Sequence, residues 1–154
     1  MEEGEGCMND LIELQIVSAV RELLSGKVNE LLNDLQFFIP LIEFGNYAGA
    51  DVVVPVVALA SCERTEKERL ILVDAYSVSI TFSLPDTEES EFNCYAYSAV
   101  VGKALEINPT LGGIADRVTI SGKKYVEPKK ANCGEGWQLV ITLHVTVEGT
   151  IYAG

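Results

Sequence analysis

The one pairing in this chain that could carry nucleophilic chemistry is Cys94 with His144. A thiolate attacks an electrophile when an imidazole within hydrogen-bond reach takes its proton. The chain has a single histidine among its 154 residues, so no second imidazole is there to orient the base. Cys94 falls in the first half of an amphipathic helical pattern, where cysteine packs as a small apolar residue. His144 falls on the polar side of an alternating strand, an ordinary solvated position. Ser25-Gly26-Lys27 has the ending of a phosphate loop, but Arg21 stands where its first glycine belongs and Val28 where its hydroxyl belongs. Gly112-Gly113 and Gly134-Glu135-Gly136 do not join a strand to a helix, as a dinucleotide site requires, and read as turn glycines. Cys7, Cys62, Cys94 and Cys133 lie 55, 32 and 39 positions apart, which fits neither zinc nor redox spacing. The expectation is therefore a non-enzymatic protein with no catalytic residues, no metal and no cofactor.

The charges point to a surface. Residues 123–136, KKYVEPKKANCGEG, place Lys123, Lys124, Lys129 and Lys130 around Tyr125 against Glu127. A 14-residue connection between paired strands far exceeds the two to five of an ordinary hairpin, and connections that long commonly carry function. Phosphate is a poor partner for it, because the whole chain carries a formal charge of −12 and would be repelled by nucleic acid or an anionic membrane. An acidic protein surface fits better. Residues 1–101 hold 18 acidic and 5 basic residues while 102–154 hold 5 and 6, so one half is strongly acidic and the other near neutral. Within the acidic half, Glu63, Glu66 and Glu68, or the helix start at Glu88, Glu89 and Glu91, are candidate acceptors for the basic tip of a neighbouring copy. The second cluster also suits the positive end of its own helix without any such partner.

These residues must be placed by a small set of elements. Tyr76 to Leu84 alternates strictly between apolar and hydroxylated residues, the pattern of a strand buried on one face. Pro85 ends it, Asp86 or Thr87 supplies a cap, and a helix from Glu88 follows with Phe92, Ala96, Ala99, Val100, Ala104 and Ile107 as its expected core stripe. Asn108-Pro109 stops it. Upstream, Asp10 and Glu13 open an amphipathic helix expected to stop at Gly26, residues 27–35 add a short second one, and 37–44 reads as extended and edge-like. Val53 to Ser61 reads as a strand buried on both faces, and Cys62 to Arg69 as a charged solvated loop. Arg117 to Tyr125 and Trp137 to Glu148 complete the strands, the latter burying Leu139, Ile141, Leu143, Val145 and Val147. The expected fold is α+β, a two-layer sandwich in the order α-β-β-α-β-β. It has a four-stranded, mainly antiparallel sheet with two helices on one face and a long protruding hairpin between the last two strands. Its other face would carry Ser77, Ser79, Thr81, Ser83, Thr119, Ser121, Thr142, His144 and Thr146. Residues 1–9 are expected to be a disordered acidic lead-in and 10–154 a single domain. The longest apolar run, Val52 to Ala60, is far short of the ~20 residues of a membrane span, and the start has no signal or transit character, so a soluble cytoplasmic protein is expected.

In this order and texture the chain resembles the tail terminator (tail completion) proteins of long-tailed bacteriophages and prophages. The likeness runs from about Asp10 to Glu148. It lies in the N-terminal amphipathic helix, VPVVALASCERTEKE, YSVSITFSLPDTEESEF, YSAVVGKAL, the PTLGGIADRV link, the strands VTISGKKYVEP and WQLVITLHVTVE, and the GEGW turn. The charged insert in the hairpin tip departs from shorter versions. The resemblance implies a virion assembly protein that forms a ring, six-membered in that family, on the head-proximal end of the tail tube. Such a ring stops tube polymerisation and presents the surface for head-completion or stopper proteins. It would act in the bacterial host cytoplasm during assembly and then in the virion tail. A tube, stopper or baseplate adaptor, and a small-ligand binding module using the Ser/Thr/His face, are the competing readings.

Overall fold

The computed structural model describes residues 11–45, 52–68, 71–129 and 136–150. Along the chain come α1 (Ile12–Leu23), a π-helical turn (Leu24–Val28), α2 (Asn29–Asp34), the short strands β1 (Leu41–Ile42) and β2 (Val52–Val53), and the long strands β3 (Val56–Glu68) and β4 (Ile71–Leu84). Then follow α3 (Glu88–Ile107), β5 (Arg117–Val126) and β6 (Trp137–Thr150). The long strands form one antiparallel sheet in the order β3-β4-β6-β5, and β1 pairs with β2 in a small parallel sheet. The fold is α+β.

Alternation in β4 does what the sequence suggests. Tyr76, Val78, Ile80, Phe82 and Leu84 are buried and share one core with Leu139, Ile141, Leu143 and Val145 of β6 and with residues of α1, α2 and α3. Ser77, Ser79 and Thr81 of the other parity pair with His144, Thr142 and Val140 and remain partly open. Val147, expected inside, is only half-buried, because the core stops at Val145.

The expected helix stop at Gly26 does not occur. Helical backbone continues from Ile12 to Asp34, with Gly26 inside the π-helical turn. Leu24, Val28 and Leu32 are fully buried on either side of it, and burial of that size, roughly 1.5–3 kcal/mol per large apolar side chain, outweighs the ~1 kcal/mol cost of a helical glycine. Asn29 then ties this helix to the small sheet. Its Nδ2 donates to the carbonyls of Ser25 (3.0 Å) and Ile42 (2.8 Å), while the Ile42 amide donates to its Oδ1 (2.8 Å). Asp10, half of the expected cap, lies outside the described residues; Leu11 is the residue before the helix, without a side-chain cap.

Three further expectations are corrected. Residues 62–68 are not a loop: β3 continues through them, paired to β4 as far as Glu68 opposite Ile71. The polarity of residues 62–67 reflects an edge strand exposed on both faces, not an absence of strand. For the same reason the start of β3 is not buried on both faces, since Val57 is buried while Val56 and Ala58 are exposed. In α3 the core stripe is rotated. Ser90, Cys94, Tyr97, Ser98, Val101 and Leu105 are buried, whereas Phe92, Ala99 and Ile107 are exposed; Ala96, Val100 and Ala104 are buried as expected.

That rotation has a chemical cause. The hydroxyl of Ser90 donates to the Pro85 carbonyl (2.6 Å) and meets Thr87 Oγ1 (3.0 Å). The Ser98 hydroxyl meets the Tyr125 hydroxyl at 2.9 Å, and the Tyr97 hydroxyl donates to the Pro40 carbonyl while its ring stacks on Phe82 at 4.8 Å. With each hydroxyl satisfied, burying a nominally polar face carries no desolvation penalty.

Candidate interaction surfaces

The register of the sheet separates the candidate charged groups into two ends. At one end β3, β4 and β6 run on past the core, where β4 is only half-buried from Ile71 to Ala75 and residues 61–67 of β3 are exposed. Glu63 and Glu66 are on this arm, and Glu68 is its last paired residue. The arm is braced by two ion pairs. Arg64 grips Asp74 with both ends of its guanidinium, Nε at 2.6 Å and Nη2 at 2.9 Å, and Lys67 reaches Glu148 of β6 at 2.9 Å. The first of these holds the Asp74 carboxyl below its ordinary range, the Arg64 hydrogen bond being the chief cause. Glu63 and Glu66 are in neither pair. Beside them, burial first and then the charges of Glu13, Cys62 and Asp74 raise Tyr76 to about 12.

The opposite end carries the other candidates. Gly136 enters β6 against the backbone of Leu84, so closely that any β-carbon would collide with the Leu84 carbonyl. Lys123, Lys124 and Tyr125 belong to β5 itself, not to the hairpin tip, which shrinks to residues 127–136. Lys129 is exposed and Lys130 is outside the described residues. A bulge between Ile120 and Gly122 resets the parity of β5, so Lys123 and Tyr125 pair opposite Ile141 and Leu139 on the buried side of the sheet, and Lys124 opposite Val140 on the bare side. The phase change left no mark in the alternation except Gly122 itself.

Tyr125 thereby reaches α3. Its ring meets that of Tyr95 edge-on at 5.4 Å, and the Tyr95 hydroxyl donates to Glu91 (2.9 Å). The root of the basic hairpin and the acidic start of α3, where Glu88, Glu89 and Glu91 are all exposed, therefore adjoin within one subunit. Across α3 lie Phe92 and then Phe37, 6.0 Å apart ring to ring, and Phe37 lines a groove together with Phe38. This aromatic row is largely open: Phe38 is 87% exposed, Phe92 55%, Tyr95 47% and Tyr125 40%. Sequence reading missed it by assigning Phe92 to the core; the available signal was the stronger stripe through Cys94, Tyr97, Val101 and Leu105.

The structure does not bring Cys94 and His144 together. Cys94 is fully buried on the core side of α3, its thiol pushed up by burial and then by Glu91. His144 is exposed on the sheet face of opposite parity, opposite Ser77 and Thr119. Among the described residues no three His, Cys, Asp or Glu side chains cluster as metal ligands, and no helix is long and apolar enough to cross a membrane.

Among known proteins, no family model and no curated sequence matches the chain. Its geometry is that of an α+β fold that leaves a hydroxylated sheet face partly open and a charged arm and an aromatic row exposed.

Proposed function

We propose that the chain is a non-enzymatic virion assembly protein of the tail-terminator kind, a subunit of a ring that caps the head-proximal end of a phage or prophage tail tube. In this reading the long elements keep the order α-β-β-α-β-β in two layers with the helices on one face. The tube protein and a head-completion protein are the ring's partners, the host cytoplasm and then the virion tail its locations. The observation that carries the proposal is the pair of unlike ends on one subunit: an arm with Glu63 and Glu66 outside its internal ion pairs, and at the far end the Lys123–Lys129 side of the hairpin. A closed ring needs such a heterologous contact, in which one patch meets a different patch on the neighbour.

Native mass spectrometry across protein concentration and salt tests it. A discrete closed ring, six-membered above all, is the expected species, either alone or on addition of tube ends. Indefinite polymerisation favours a tube protein instead, and a monomer that ignores tube ends defeats the proposal.

A further inference from the structure

We infer that the outer face of α3 is a self-association surface, on which a second copy of this chain packs antiparallel about a two-fold axis level with Tyr97. At 100° per residue, Phe92, Tyr95, Ala99 and Gly102 lie within about 80° of one another on the side of α3 away from its core. Phe92, Tyr95 and Ala99 are exposed and Gly102 is half-open. Two large rings at one end of a stripe and two minimal residues at the other make a face complementary to itself when reversed: Tyr95 shares a layer with the partner's Ala99, and Phe92 one with the partner's Gly102. This is how interdigitating layers fill the space between helices.

The charges follow the same symmetry. An axis lying in the contact plane reverses the helix direction but keeps each flank beside its own equivalent. On the flank towards Phe37, Lys103 of one copy meets the partner's Glu89, both exposed. On the flank towards β5, Lys123, which lines a groove with Gly102 and Glu106, comes level with the partner's Glu91. Glu106 and the partner's Glu88 are the one like-charged approach, and Glu106 shares its groove with Arg117 and Lys123. Such a contact is isologous and separate from the heterologous contact of a ring; it stands or falls apart from the tail-terminator reading.

Sedimentation of the full chain at moderate salt tests it, with Lys103→Glu, Glu89→Lys and their combination. A concentration-dependent dimer is expected, weakened about tenfold or more by either reversal and restored by the double exchange. Ala99→Arg, at an exposed position that leaves the core alone, gives a folded monomer. A wild-type protein with no dimer at any concentration, or a dimer indifferent to both Ala99→Arg and the single reversals, overturns the proposal.

Discussion

Single residues here matter through the partner each hydroxyl, amide or thiol finds. Asn29 makes three hydrogen bonds that tie the helical run to β1. At ~1 kcal/mol for each partly buried bond, Asn29→Ala should destabilise the protein by about 3 kcal/mol and free the amide of Ile42, which hydrogen exchange would report. Cys94 shows the converse, a reactive atom silenced by its surroundings. In a variant with Cys7 and Cys133 changed to Ser, native alkylation should modify exposed Cys62 and leave buried Cys94 untouched until the chain unfolds. Rapid labelling of Cys94 would revive the nucleophile reading.

At the scale of elements, the arm and the Gly136 turn are each held by one local feature. Asp74 has a lowered native pKa, so its pairing with Arg64 contributes stability that is fully present above the unfolded value near pH 4 and is lost as pH falls through the native one. Asp74→Asn should therefore lower the unfolding midpoint at neutral pH, and the gap to the wild type should close on acidification. A constant gap would mean that shape, not charge, braces the arm. Gly136 offers a sharper test. Because a β-carbon there meets the Leu84 carbonyl, Gly136→Ala must pull Trp137 away from Leu84 and should cost more than about 2 kcal/mol in denaturant melts.

For the whole molecule, two opposed ends and a self-complementary helix face separate two kinds of association. Charge reversal of Lys129 and Lys130 should change the ring state and its salt response while leaving any α3-mediated dimer intact. If the assembly state and its salt response stay the same, the basic hairpin is not the ring contact.

The residues alone determined the α+β class, the one-sided burial of β4 and β6, the ends of α3 and the bare hydroxylated face. Each is set by local periodicity, by proline's missing amide and by side chains that alternate every second residue. The same local rules foresaw Cys94 as core filler and Glu88, Glu89 and Glu91 as an exposed helix start. Tertiary structure decided the rest. Only packing could carry the helix through Gly26, because Leu24, Val28 and Leu32 found a core to fill. Only pairing with β4 could make a strand of the charged segment at residues 62–68, since an edge ladder draws its hydrogen bonds from a neighbour. And only the bonds of Ser90, Tyr97 and Ser98 to distant or bent-back partners could turn α3, burying a polar face and leaving Phe92 and Tyr95 outside. Whether a hydroxyl is buried depends on a partner elsewhere in the chain, which periodicity does not encode.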